Sequence, residues 1–155
     1  MIELDALHWG PGWTPADDAT LLAAIAAALD GQPRWVVDGN YTRSIPVKWA
    51  TVEAVIWLDY GLVTTMIRAI RRAIGRIRSG AELWPGTGNR ESFRQTFLSR
   101  NSILLWTLTT HAKTRRSYES LSADPRFAHI RFIRLRRPAQ AVALLQAIRQ
   151  PAKQV

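Results

Sequence analysis

No cysteine occurs in the 155 residues, which excludes disulfides and thiolate metal sites. No apolar run approaches the ~18 residues that a membrane span needs. The N-terminus also lacks a basic stretch followed by an apolar segment, so no membrane partner is expected and a reducing cytoplasm is the default compartment. Helix-turn-helix, RNP and zinc-finger patterns are missing, as are internal repeats and low-complexity tracts. Acidic residues are scarce in one half only. Residues 61–155 hold eighteen basic and four acidic side chains, net +14, whereas residues 1–60 hold three basic and eight acidic, net −5.

The scarcity is complete between Gly61 and Gly80, where no Asp or Glu occurs, and there the sequence reads MIRAIRRAIGRIRS over residues 66–79. At ~100° per residue, Arg68, Arg71, Arg72, Arg76 and Arg78 share one arc of a helix, and Ile67, Ile70, Ile74 and Ile77 share the other. The isoleucine arc is expected to pack. The arginine arc has no i,i+4 carboxylates, so it differs from the mixed-charge face of an ordinary solvated helix. A small phosphate ligand, nucleic acid, an acidic membrane and plain solvation with the arginine stems covering apolar neighbours all fit such a stripe. Its position directly after the apolar run AVIWL (54–58) favours the small phosphate, because helices entered from the carboxyl end of a parallel strand border the ligand crevice of open α/β sheets.

Short apolar strands alternate with helical segments along the chain, which predicts a parallel sheet with helices on both faces, a three-layer α/β/α domain spanning residues 1–155. Residues 2–4 read as a strand end and 8–13 as a loop. Thr14 followed by Pro15 reads as an N-cap and first helical position, opening a helix that runs over 21–29 and stops at Gly31. Strands are expected at 35–37, 54–58 and 129–135. A Gly/Pro-rich loop at 84–89 precedes a long helical stretch from about 90 to 121, broken near 99–102. Pro138 opens a last helix over 139–148, with Val142, Leu144, Leu145 and Ile148 on its buried side. Asp5, Asp38 and Asp59 then stand at strand ends, where acids orient hydroxyls or hold Mg²⁺ through water. Gly39 suits a sharp turn beside Asp38; Asp59 precedes a helix and equally suits an N-cap.

The segments IELDALHWGPGW (2–13), WVVDGNYTR (35–43), VIWLD (55–59) with its arginine helix, ELW (82–84), GNRES (88–92) and SILLW (102–106) with His111 resemble, in order, the adenylate-kinase-like P-loop proteins. Within that group they are similar to bacterial members called adenylate kinase or DNA topology modulation protein. The resemblance implies ATP and Mg²⁺ as cofactors, with Asp38 near the magnesium through water. It implies that Arg68, Arg71 and Arg72 grip the transferring phosphoryl group, where positioning and charge stabilisation supply the catalysis. Asn89, Arg90 and Arg76 would contact phosphates from a lid-like segment at about 76–100. Asp5, His8, Trp13, Tyr41 and Arg43 would surround the acceptor, and the loop 84–88 would be the mobile part.

Against the family pattern, the chain holds no GxxxxGK[ST] loop, and neither Gly10-Pro11-Gly12 nor Gly86-Thr87-Gly88 is followed by Lys-Ser or Lys-Thr. The family's first strand, P-loop and first helix are therefore expected to be missing from these residues, either lying upstream of Met1, which the retained site-like residues favour, or lost in a remnant that no longer binds ATP; either way edges would be left unpaired at 35–37 and 54–58. Tyr60-Gly61 also stands where the family often has Pro-Arg. The resemblance implies an ATP-dependent phosphotransferase of the nucleotide-kinase type, inactive as the chain stands, acting on a nucleotide or another small phosphate acceptor. The alternative is a non-catalytic nucleic-acid-binding protein that uses the basic half, including Arg115, Arg116, Arg131, Arg134, Arg136 and Arg137.

Overall fold

A computed structural model describes residues 1–99 and 102–149. It is mixed α/β with short strands that pair in twos, and it divides into two compact units, Met1–Val52 with Gly75–Ser92, and Glu53–Ile74 with Phe93–Val155.

In the first unit, β1 (Ile2–Glu3) runs parallel to β4 (Val37–Asp38), placing Ile2 opposite Val37 and Glu3 opposite Asp38. Between them lie α1 (Leu4–His8), the antiparallel pair β2 (Trp9–Gly10) and β3 (Thr14–Pro15), and α2 (Asp18–Leu29). The core is Leu4, Leu21 and Ile25, all fully buried, with Leu7, Leu29, Val37, Tyr41 and Val47 against it. Gly39 follows β4 at φ 134°, and a Cβ there would lie 2.8 Å from Leu4 Cβ. Both the backbone angle and the contact require glycine. A short turn, α3 (Ile45–Lys48), completes this part of the chain.

In the second unit, β5 (Ala54–Leu58) runs parallel to β6 (Arg131–Leu135) over its full length, with Ile56 opposite Ile133 and Leu58 opposite Leu135. The helices are α4 (Leu62–Ser79), whose last turn belongs to the first unit, α5 (Ile103–Ala123) and α6 (Pro138–Arg149). At the carboxyl end of β5, Asp59 accepts hydrogen bonds from Arg115 Nε at 2.7 Å and Arg134 Nε at 2.8 Å. Arg134 also donates to Glu119 at 2.8 Å and lies 4.2 Å from the centre of the Trp57 ring, which stacks on Tyr118. Burial alone would raise the Asp59 pKa, but the hydrogen bonds and charges of the two arginines outweigh it and hold the carboxyl below its ordinary range.

Several expectations are corrected. Thr14 and Pro15 form β3; the Thr14 hydroxyl donates to Pro11 O, and Asp17 is the N-cap, accepting from Thr20 N at 2.8 Å. A short helix, α1, stands where the sequence suggested the approach to a loop. On α4 the buried positions are Ala69 and Ala73, while Val63, Ile67 and Ile74 are exposed. Small side chains allow close approach on that arc, so the packing stripe covers only one side of the apolar arc. Val142, Leu145 and Ile148 on α6 are more than half exposed, because no described element covers them. The long helix divides into a π-turn at Arg94–Leu98 and α5, capped by Ser102 accepting from Leu105 N. Arg100 and Asn101, within the expected break and at the end of the lid-like segment, lie outside the described residues. Among the described residues β4 pairs only with β1 and β5 only with β6, so each keeps one unpaired edge.

Two substitutions test this account. Gly39→Ala should destabilise the first unit by about 2 kcal/mol or more, since strained backbone alone costs about 1–3 kcal/mol. Asp59→Asn should cost about 2–3 kcal/mol at pH 7, below the ~3–5 kcal/mol of a fully buried pair because both arginines keep partial solvent contact. The wild-type carboxylate stabilises above the unfolded pKa and loses that effect as pH falls through its depressed folded value, so the deficit of Asp59→Asn should shrink on acidification. Urea midpoints at pH 7 and pH 3 check both statements; an unchanged Asp59→Asn deficit at pH 3 would refute the ion-pair account.

Candidate functional site

The first unit brings together four of the residues expected around an acceptor. Tyr41 OH donates to Asp5 Oδ1 at 2.7 Å, and Arg43 donates to Asp18 Oδ1 at 2.6 Å and to His8 Nδ1 at 3.1 Å. Because a guanidinium only donates, His8 Nδ1 accepts and the ring is neutral with its proton on Nε2. Burial, and then the Arg43 charge, lower the His8 pKa, consistent with that state. Burial and the Asp5 carboxylate raise the Tyr41 pKa, so the phenol stays protonated. With Asp5 and Asp18 against Arg43, this cluster carries one net negative charge. It therefore suits hydroxyl or amine groups better than phosphate.

Aromatic rings extend the cluster. His8 meets Trp9 and Tyr41 edge-on at 4.6 and 4.9 Å, Trp9 meets Trp13 at 5.9 Å, and Trp13 meets Trp84 at 5.6 Å. Trp13 adopts φ 61° and is the one non-glycine residue with positive φ among the described residues. Its backbone N–H donates to Asn89 Oδ1 at 3.0 Å, while Asn89 Nδ2 donates to Gly10 O at 2.9 Å. Asn89, expected among the phosphate contacts, is thus buried, with both ends of its amide spent on the loop at residues 10–13.

The loop at 84–88 is a hydrogen-bonded hairpin. Thr87 N–H and Oγ1 both donate to Trp84 O, Gly88 N donates to Glu82 Oε1 at 2.6 Å, and the backbones of Glu82 and Arg90 pair in an antiparallel β-bridge. Arg90 donates to Gly80 O, and Arg76 lies 3.7 Å from Glu91.

Sequence reasoning missed Lys48. It is 5% exposed, its Nζ donates to Gly39 O and Tyr41 O at 3.3 Å each, and no carboxylate among the described residues lies within ion-pair distance. Burial lowers its pKa to about 8. Lys48 ties down the loop that follows Asp38, a role with no local signal beyond a lysine in an otherwise apolar IPVKW turn. Asp38 itself is exposed beside Glu3.

In the second unit Arg68, Arg71 and Arg72 are exposed on α4 with no carboxylate partner among the described residues. Arg68 lies 5.7 Å from the centre of the Tyr60 ring, whose backbone carbonyl accepts from His111 Nε2 at 2.9 Å. A cleft of about 280 Å³ at the carboxyl ends of β5 and β6 is lined by Asp59, Gly61, Arg115, Glu119, Arg134 and Arg136. Among the described residues no helix is long and apolar enough to cross a membrane, and no cluster of three or more His, Asp or Glu stands ready to hold a metal. Comparison of the chain with family models, curated proteins and solved structures gave no match.

Lys48 sets a pH dependence. Between its folded pKa near 8 and the unfolded 10.5, the unfolded chain binds more protons, so stability should rise with pH. Above pH 10 the raised Tyr41 pKa works in the opposite direction. The urea-derived stability should therefore climb by on the order of 2 kcal/mol from pH 8 to 10, and Lys48→Met should abolish the climb. A wild-type profile flat over that window would remove the buried ammonium from the account.

Proposed function

We propose that this chain carries the acceptor-side and phosphoryl-gripping parts of an ATP-dependent phosphotransferase of the nucleotide-kinase type, in a P-loop-kinase-like α/β/α arrangement. The observation that carries this reading is the row of exposed, carboxylate-free Arg68, Arg71 and Arg72 on the helix that follows a parallel strand. Such a row meets charge that develops on a transferring phosphoryl group. The Asp5, His8, Tyr41 and Arg43 cluster, with its net negative charge, takes the hydroxyl-bearing part of the acceptor. Asp38, exposed and in register with Glu3, suits water-mediated Mg²⁺, which needs only one or two carboxylates beside substrate phosphates; bound there, the ion would neutralise phosphate charge. The 155 residues supply no GxxxxGK[ST] cradle for the ATP phosphates, so the chain by itself is expected to bind Mg-ATP weakly.

The nucleic-acid alternative loses part of its support, since Arg115 and Arg134 are spent on Asp59. One variant separates the two. Arg72→Ala should weaken binding of inorganic pyrophosphate by about 10-fold or more, one charge-assisted contact being worth roughly 1.5–3 kcal/mol. Its affinity for duplex DNA should keep an unchanged salt slope. Calorimetry with pyrophosphate and a salt titration with DNA read both. Unaltered pyrophosphate affinity, with a DNA salt slope lowered by about one, would replace the phosphotransferase reading with nucleic-acid binding.

A further inference from the structure

We propose that the outward arc of α5 is a docking face for an anionic lipid surface, with Leu105, Trp106 and Leu108 entering the headgroup boundary and Lys113 and Arg116 meeting the headgroup charges. None of these residues has a role in the phosphotransferase reading. Three contacts fix which side of the helix faces out. Thr107 is buried, His111 Nε2 donates to Tyr60 O at 2.9 Å, and Arg115 Nε donates to Asp59 Oδ1 at 2.7 Å. On the opposite side, at ~100° per residue, Leu105, Leu108, Thr109, Ala112 and Arg116 fall within an arc of about 100°, and Trp106 and Lys113 border it. All seven are exposed, Leu105 at 43%, Trp106 at 49% and Leu108 at 54% among them.

A solvated helix carries charge on its outward face, yet no Asp, Glu, Lys or Arg occurs from Ser102 to Ala112, and no Asp or Glu from Ser92 to Tyr118. The Thr109 hydroxyl donates to Leu105 O at 2.9 Å, so the one hydroxyl on the arc is satisfied by the helix itself and asks nothing of water. Lys113 and Arg116 have no carboxylate partner among the described residues, and Glu119, one turn beyond Arg116, is taken by Arg134 at 2.8 Å. Two apolar turns followed by a cationic stretch make the charge complement of an anionic surface. A second copy of the chain would instead set these cations against their own kind, on a molecule of formal net charge +9. Lying on a bilayer requires one apolar arc with basic residues and an interfacial Trp, whereas crossing it requires a long apolar run. The lack of a spanning helix among the described residues therefore leaves this contact open, and the expectation that no membrane partner exists gives way to a surface one.

The test mixes the 155-residue chain with sedimentable vesicles of phosphatidylcholine alone, and of phosphatidylcholine and phosphatidylserine in a two-to-one ratio. Binding to the anionic vesicles should be tighter by about 10-fold or more, since each basic residue near such a surface contributes about 5-fold. The double variant Leu105→Gln/Leu108→Gln keeps every charge and should lose about 10-fold or more of that affinity, because two apolar side chains no longer leave water. Near-ultraviolet dichroism reports that the variant is folded. Tryptophan emission should shift to the blue on binding, and Trp106→Phe should remove most of that shift. Absence of binding to both vesicles, or equal binding to the two, would overturn the proposal. Anionic-vesicle affinity unchanged in the double variant would reduce the contact to adsorption of a basic chain and overturn it as well. A wild-type dimer in analytical ultracentrifugation that the double variant dissolves would assign the arc to a second copy instead.

Discussion

The second unit depends on one carboxylate. Asp59 ends β5, Arg115 comes from the middle of α5 and Arg134 from β6, so the two ion pairs bind a helix and a neighbouring strand to the point where β5 stops. Its own backbone N–H donates to Leu135 O at 2.9 Å, extending the parallel ladder by one bond. A carboxylate this buried is costly alone and tolerable only when both oxygens are taken. Arg134 covers the Trp57 ring while it pairs, so the same guanidinium serves packing and charge. The arrangement has a functional consequence, because two of the arginines that make this half of the chain strongly basic are neutralised within it.

Three arginines on α4 remain free of carboxylates among the described residues. These are Arg68, Arg71 and Arg72, which face outward, and the packed arc of the helix is built on Ala69 and Ala73, with Val63, Ile67 and Ile74 left outside. The unpaired edge of β5, the exposed Ile56 and Leu58 on it, and the apolar positions of α6 belong to the same pattern in this unit. More apolar surface is presented here than the described elements cover.

In the first unit, backbone placement is controlled by single residues acting at a distance. Gly39 lets the chain turn against Leu4, Lys48 holds the carbonyls on either side of that turn, and Asn89 holds the loop at 10–13 from the other end of the unit. Gly39 works through its backbone angle and the space it leaves, Lys48 and Asn89 because a buried polar group must find its partners. Together they fix the exposed Asp38, the buried His8 and the half-buried Tyr41 and Trp13 in place.

The sequence by itself determined the periodic features: the arginine face of α4, the parallel strands β5 and β6, and the glycine after Asp38. These follow from spacing, turn chemistry and charge, which are local properties. Only the tertiary structure decided where polar groups spend their hydrogen bonds. Asp59 read equally as a metal ligand or a helix cap until Arg115 and Arg134, 56 and 75 residues away, took both its oxygens. The resemblance implied Asn89 as a phosphate contact, and only the fold shows that its amide meets the loop at 10–13 across 76 and 79 residues. Lys48 carried no signal beyond its place in the apolar IPVKW turn. Burial and long-range pairing are set by which segments meet, and no local pattern encodes that meeting.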